Sequence, residues 1–130
     1  MDAFDSDVVI FAAKRDPRGE VAARLVDAAT ASDEVIGSVV LVSEVFAAPV
    51  GVINENERQR LINIIAALGL KDVDYEVADL AGTLRTKYRL KTPDALHLAT
   101  AVLWGADRFH TNNRKDFGQP IDEIEIVFPA

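Results

Sequence analysis

Val35-Ile36-Gly37-Ser38-Val39-Val40-Leu41-Val42 is a short run, largely β-branched and apolar, that closes at Ser43-Glu44. A strand with one wet face alternates apolar and polar residues, whereas this run shows almost no alternation. That pattern fits a strand covered on both faces, as strands of a parallel sheet are. The reading predicts a buried strand over 35–42, with Glu44 just past its carboxyl end.

The flanking sequence is organised around such strands. Upstream, Ala3 and Phe4 lead into Asp5, and the apolar stretch Val8 to Ala13 predicts a very short strand turning into a helix. Asp16-Pro17-Arg18-Gly19 is a turn signal, and Val21, Ala22, Leu25, Val26 and Ala29 then recur at helical spacing up to a polar break at Ser32, Asp33 and Glu34. Downstream, Pro49 and Gly51 mark a loop. Asn54 and Glu57 have the spacing of a capping box, and Leu61, Ile64, Ile65 and Leu68 form one stripe that Gly69 ends. Asp74 is placed to cap a further helix whose inner face carries Val77, Leu80, Ala81, Leu84 and Tyr88.

Thr92-Pro93 reads as a helix start, with threonine capping and proline in the first helical position. The segment Ala95 to Trp104 is apolar nearly all round, so the helix it forms is expected to be buried before Gly105 stops it. Arg108 to Thr111 and Glu123 to Phe128 complete the set as short strands. Strands separated by helices predict an α/β fold, a central and largely parallel sheet flanked by helices in three α/β/α layers.

A chain of 130 residues fits one domain, 1–130, with a single core; 49% of it is apolar and its mean hydropathy is +0.09. The absence of cysteine excludes disulfides, thiolate metal sites and a cysteine nucleophile. Neither a secretory leader nor an apolar run of the ~20 residues a bilayer span needs is visible, so the expectation is a cytoplasmic chain with no membrane partner. The net charge of −7 argues against a nucleic-acid coat, which needs a basic surface to displace counterions. Locally the balance reverses: Arg85, Lys87, Arg89, Lys91, Arg108, Arg114 and Lys115 face only Asp94 and Asp107 across positions 85–115. Solvated helix faces also carry such runs.

Ligands of open α/β sheets bind beyond the carboxyl ends of the strands. Acids crowd those positions here: Asp5 after the first strand, Glu44 after the run above, Asp94 at the start of the buried helix, and Asp116 in the turn after Arg108 to Thr111. Singly, each has an ordinary explanation as a turn former or a favourable charge at a helix start. Jointly they would form an anionic cluster whose members raise one another's pKa unless a cation neutralises them. Magnesium and manganese, hard ions that prefer oxygen ligands, are suited to that task, and phosphodiester hydrolysis is the matching reaction.

Four strings of this sequence resemble one known family. Asp5-Ser6-Asp7-Val8-Val9-Ile10, Ser43-Glu44-Val45, Thr92-Pro93-Asp94-Ala95-Leu96-His97-Leu98-Ala99-Thr100-Ala101 and Thr111-Asn112-Asn113-Arg114-Lys115-Asp116-Phe117 are similar to the motifs of PIN-domain, VapC-like toxins. The likeness runs through nearly the whole chain. It implies a PIN-like fold and a Mg²⁺- or Mn²⁺-dependent endoribonuclease acting on RNA, the toxin of a type II toxin–antitoxin pair. Asp5, Glu44, Asp94 and Asp116 would be its catalytic and metal-holding residues, a cognate antitoxin its partner, and a homodimer its usual form. The resemblance further gives Ser6 and Thr111 the place of hydroxyls that orient a carboxylate or a metal-bound water. Asp7 stands where relatives usually have asparagine. Asn113 stands where many have aspartate, which leaves it a water-holding or carboxylate-orienting role beside Asp116.

His97, one helical turn beyond Asp94, is within reach of such a site, although a lone histidine in an apolar helix is usually a packed core residue. His110 carries no further signal, and no serine triad is visible. Two other functions fit parts of the sequence. Asp5-Ser6-Asp7-Val8-Val9 also matches the opening of haloacid-dehalogenase-like phosphatases, with Asp5 as nucleophile, but that leaves Thr92 to Ala101 unexplained. A catalytically degenerate PIN domain acting only as a binding module is the non-enzymatic alternative.

Overall fold

A computed structural model describes residues 1–15, 17–31, 34–47 and 54–129. Asp16, Ser32, Asp33, Pro49 and Gly51, part of the turn and loop signals above, lie outside the described residues. Strand β1 (Asp2–Phe4) runs into helix α1 (Ser6–Lys14), a 3₁₀ turn (Pro17–Gly19) and helix α2 (Glu20–Ala31). Strand β2 (Val35–Ser38), helices α3 (Val40–Val45) and α4 (Glu55–Ala67), and strand β3 (Gly69–Lys71) follow. Helices α5 (Tyr75–Tyr88) and α6 (Thr92–Leu103), strand β4 (Arg108–His110), helix α7 (Arg114–Phe117) and strand β5 (Glu125–Val127) complete the order.

Among the described residues the five strands form one sheet in the order β3-β2-β1-β4-β5, parallel throughout. Alternate side chains of β1 enter opposite cores. Phe4 joins Val8, Val9, Ala13, Leu41 and Leu61, from α1, α3 and α4; Ala3 joins Leu84, Leu98, Phe109 and Phe117, from α5, α6, β4 and α7. The layers are α/β/α, as the sequence predicts. No helix among the described residues is long and apolar enough to cross a membrane.

The predicted strand over 35–42 is half helix. Only Val35–Ser38 is extended; Val40–Val45 coils as α3. Ser38 Oγ accepts a hydrogen bond from Val40 N at 3.2 Å and turns the chain. Gly37 makes the fold-back sterically feasible, since a Cβ there would lie 2.4 Å from Leu41 Cδ1. Burial of Leu41 and Val45 outweighs the poor helix propensity of the valines. Glu44 is therefore carried on a helix rather than in the turn behind a strand.

Other boundaries shift for local reasons. Gly69, read as the end of α4, opens β3, a three-residue edge strand that pairs with β2. Such a strand is too short to show a period and exists through its partner. Asn54 and Asp74 do cap α4 and α5, accepting from Glu57 N at 2.8 Å and Val77 N at 2.9 Å. Thr92 does not cap α6: the cap position is Lys91, without a side-chain bond, and Thr92 and Pro93 lie inside the first turn. Gly105, at φ +73°, ends that helix in the left-handed region.

Candidate metal centre

Asp5 leaves β1 at the carboxyl end of the sheet, next to β4, whose His110 carbonyl accepts from Asp5 N at 2.9 Å. Its side chain caps α1. Oδ1 accepts from Ser6 N and Oδ2 from the Thr111 hydroxyl, each at 2.8 Å, and only 3% of the residue is exposed. Thr111 is thus where the sequence reading puts it, beside a carboxylate. Ser6 contacts Asp5 through its backbone N–H, not through the expected hydroxyl.

Glu44 comes in from α3, and its Oε1 pairs with His97 Nε2. That nitrogen is also 3.9 Å from Asp5 Oδ1, so Asp5, Glu44 and His97 present donor atoms that all lie within 4.8 Å of one another. His97 is both of the things considered for it, a core residue 2% exposed and a member of the acidic site. Its distance of one helical turn from Asp94 was the available signal; the pairing with α3 was not visible, because α3 was read as strand.

Asp94, in the first turn of α6, and Asp116, on α7, meet through Asn113. The Asn113 amide nitrogen lies 3.5 Å from Asp94 Oδ2 and donates to Asp116 Oδ2 at 3.0 Å, while Asn113 Oδ1 accepts from Asp116 N at 3.2 Å and caps α7. The four acids gather in one region in two groups, Asp5 with Glu44, and Asp94 with Asp116. Asp7, not selected from the sequence as a site residue, also belongs here: its carboxylate accepts from Asn112 N at 3.0 and 3.2 Å. His110 points elsewhere, its ring tilted against that of Phe4 at 5.0 Å and its Nε2 3.4 Å from Asp2.

Burial and mutual repulsion leave their mark on these groups. Burial raises Asp5, and the charges of His97 and the Thr111 hydroxyl only partly offset it. Burial and then the charge of Asp5 push Asp7 up to about 7; burial, Asp5 and Asp116 push Asp94 up to about 6. Burial alone would pull His97 down, but the bond to Glu44 and the charges of Asp5, Glu44 and Asp94 raise it above its ordinary value. Among the described residues no lysine or arginine forms an ion pair with Asp5, Glu44, Asp94 or Asp116. A largely buried pocket of hard oxygen donors, with His97 but no paired lysine or arginine among the described residues, fits a divalent cation.

These shifts predict how stability follows pH in the metal-free protein. Asp7 and Asp94 have folded pKa values above the usual 3.8, so the unfolded chain releases those protons first and stability falls as pH rises from about 4 through about 7. His97, also raised, contributes stability that is complete below the unfolded value of 6.5 and is lost above its folded one. The signs agree. Tm is expected to fall steadily between about pH 5 and about pH 8, and saturating Mn²⁺ to flatten the profile. A Tm that climbs over the same interval in the metal-free protein would count against this packing of acids. Asp2, Asp107 and Glu123, whose values are lowered, act in the opposite sense only below that interval, while His110, lowered by burial, opposes the trend within it as pH rises toward the unfolded value of 6.5.

A family model described as the PIN domain matches residues 3–119. The chain belongs to the PIN-domain family. This PIN domain is similar over its full length to a chain of a toxin–antitoxin complex from Klebsiella pneumoniae, at 25% identity and a TM-score of 0.79, covering 100% of this chain and 98% of that one. It shares its fold with DNA-bound VapBC from Salmonella typhimurium, at 21% identity, TM-score 0.77 and coverage of 99% and 98%. It shares it also with VapBC2 from Rickettsia felis bound to a promoter DNA fragment, at 16% identity, TM-score 0.76 and coverage of 98% and 97%. No curated protein matches the sequence. The family assignment lends no support to the phosphatase alternative.

Proposed function

We propose that this PIN domain is a Mg²⁺- or Mn²⁺-dependent endoribonuclease and the toxin of a VapC-like toxin–antitoxin pair. The observation that carries the reading is the convergence of Asp5, Glu44 and His97 donor atoms within 4.8 Å, beside Asp94 and Asp116. PIN domains are in general nucleases, and the relatives named above are toxin–antitoxin assemblies.

In this reading Asp5, Glu44, Asp94 and Asp116 hold the metal. Thr111 orients Asp5 through its hydroxyl, and Asn113 spaces Asp94 from Asp116. A bound divalent ion would polarise the phosphodiester and lower the pKa of the attacking water. The protein's share is to fix the carboxylates in advance, so that little reorganisation accompanies the reaction. RNA enters an acidic chain here through local cations. Lys87 and Arg108 are engaged by Glu123 and Asp2, but exposed Lys91 precedes the helix of Asp94, and exposed Lys115 adjoins Asp116. In this reading these two lysines meet the phosphates of RNA bound beside the acids.

The same reading includes a cognate antitoxin and a homodimer, supported by the toxin–antitoxin relatives and by the motif resemblance. The deciding experiment is incubation of total RNA with the full chain and Mn²⁺, with the new 5′ ends mapped by sequencing. Discrete ends that vanish on chelation and in the Asp5→Asn protein are the expected result. Identical ends in both proteins would trace the cleavage to a contaminant and remove the proposal.

A further inference from the structure

The two carboxylates at the centre of the site are held in different ways. Asp5 is buried, and each of its oxygens has a partner within the fold, Ser6 N and Thr111 Oγ1. Glu44 stands on a helix of six residues with its side chain 29% exposed, and among the described residues His97 is what restrains its carboxylate. The histidine itself cannot easily move, being 2% exposed within the apolar helix α6 beside Leu98 and Ala101.

We infer that His97 is a positioning residue of the metal centre: its Nε2–H holds the Glu44 carboxylate beside Asp5, so that the two acids meet a cation as a preformed pair. The inference rests on reading Asp5 and Glu44 as metal ligands.

The other ring nitrogen separates this role from direct ligation. A histidine that gives one nitrogen to a metal ordinarily donates its remaining N–H to a carboxylate or carbonyl, which fixes the tautomer. His97 Nδ1 is buried and has no hydrogen-bond partner among the described residues. Ligation through Nε2 would move the proton to Nδ1 and bury a donor with nothing to receive it, which costs more than an unfilled acceptor. With the proton on Nε2 the ring donates to Glu44, and Nδ1 is left only with a spare lone pair. Glu44 then keeps a second oxygen for the cation.

Calorimetric titration of the full chain with Mn²⁺ tests this, together with pulsed EPR of the bound ion. The proteins compared are wild type, His97→Gln, His97→Leu, Glu44→Gln and the double variant His97→Leu/Glu44→Gln, each checked for fold by circular dichroism. Glutamine offers an N–H near the place of Nε2, so His97→Gln is expected to bind Mn²⁺ close to wild type. Leucine fills similar space without a donor, and His97→Leu is expected to lose about 10–100-fold in affinity, as loss of an outer partner of a metal ligand does. Added to Glu44→Gln, the same change is expected to cost little more, because the two residues act as one unit.

Imidazole nitrogen coupling to Mn²⁺, with affinity lost equally in His97→Gln and His97→Leu, would make His97 a ligand and overturn the inference. Unaltered affinity in a folded His97→Leu protein would reduce the residue to core packing and overturn it as well. A wild-type chain that binds no Mn²⁺ at all would instead sink the metal reading beneath it, a result distinct from either pattern among the variants.

Discussion

Asp94→Asn is expected to lower metal-dependent RNA cleavage by more than the ~10–100-fold that follows loss of an outer partner of a metal ligand, while the domain remains folded. The two halves of this expectation have separate causes. Burial, and then the charges of Asp5, Asp116 and Glu44 that Asp94 faces, push its pKa up to about 6. Removing its charge deletes a candidate ligand and also relieves that repulsion. The metal-free variant is therefore expected to melt no lower than wild type, and somewhat higher at alkaline pH, where the native carboxyl is ionised. Asparagine keeps the size of aspartate and an oxygen that can still face the Asn113 amide.

Asp116→Asn is expected to act in the same direction, since Asp116 meets Asp94 through that same amide. The consequences of failure differ. Near-normal cleavage by a folded Asp94→Asn protein would end the proposed mechanism. Retained cleavage in Asp116→Asn alone would reassign one ligand, because Asp94 faces the charges of Asp5 and Glu44 directly whereas Asp116 is tied in through Asn113.

The second large effect concerns stability. A ligand that binds only the native state stabilises it by RT ln(1 + [L]/Kd), about 2.7 kcal/mol when the ligand is at a hundred times Kd. For a domain of this size that corresponds to a Tm rise on the order of 10 °C. Mn²⁺ is expected to produce such a rise, measurable by calorimetry, and Asp5→Asn to abolish most of it. The variant itself should fold, because asparagine caps helices about as well as aspartate: its one carbonyl oxygen can accept from Ser6 N, and its amide N–H can donate to the Thr111 hydroxyl oxygen. Wild type melting at one temperature with or without Mn²⁺ and Mg²⁺ would mean that the fold persists here without metal chemistry.

Reading the residues in order recovered the elements whose signals are local. Asn54 and Asp74 cap the helices they were assigned to, and the stripe of Val77, Ala81, Leu84 and Tyr88 faces the core as its spacing requires. All four acids named from the sequence do reach one end of the sheet. The failures are equally specific. Gly37 and Ser38 interrupt the β-branched run, and a glycine that admits Leu41 and a serine that bonds Val40 N are what convert strand into helix. Asp7, a departure from the motif in sequence, shares the electrostatics of Asp5 in the fold.

The sequence alone determined the α/β class and the caps of α4 and α5, because capping, periodicity and turn preference act over a few neighbouring residues. Tertiary structure decided that Val40–Val45 would coil, that Gly69–Lys71 would pair as an edge strand, and that His97 would face Glu44. Segments of three to six residues have too little stability of their own to be stated in advance. They take their conformation from whatever packs against them, and the distance between two acids far apart in the chain exists only once that packing is complete.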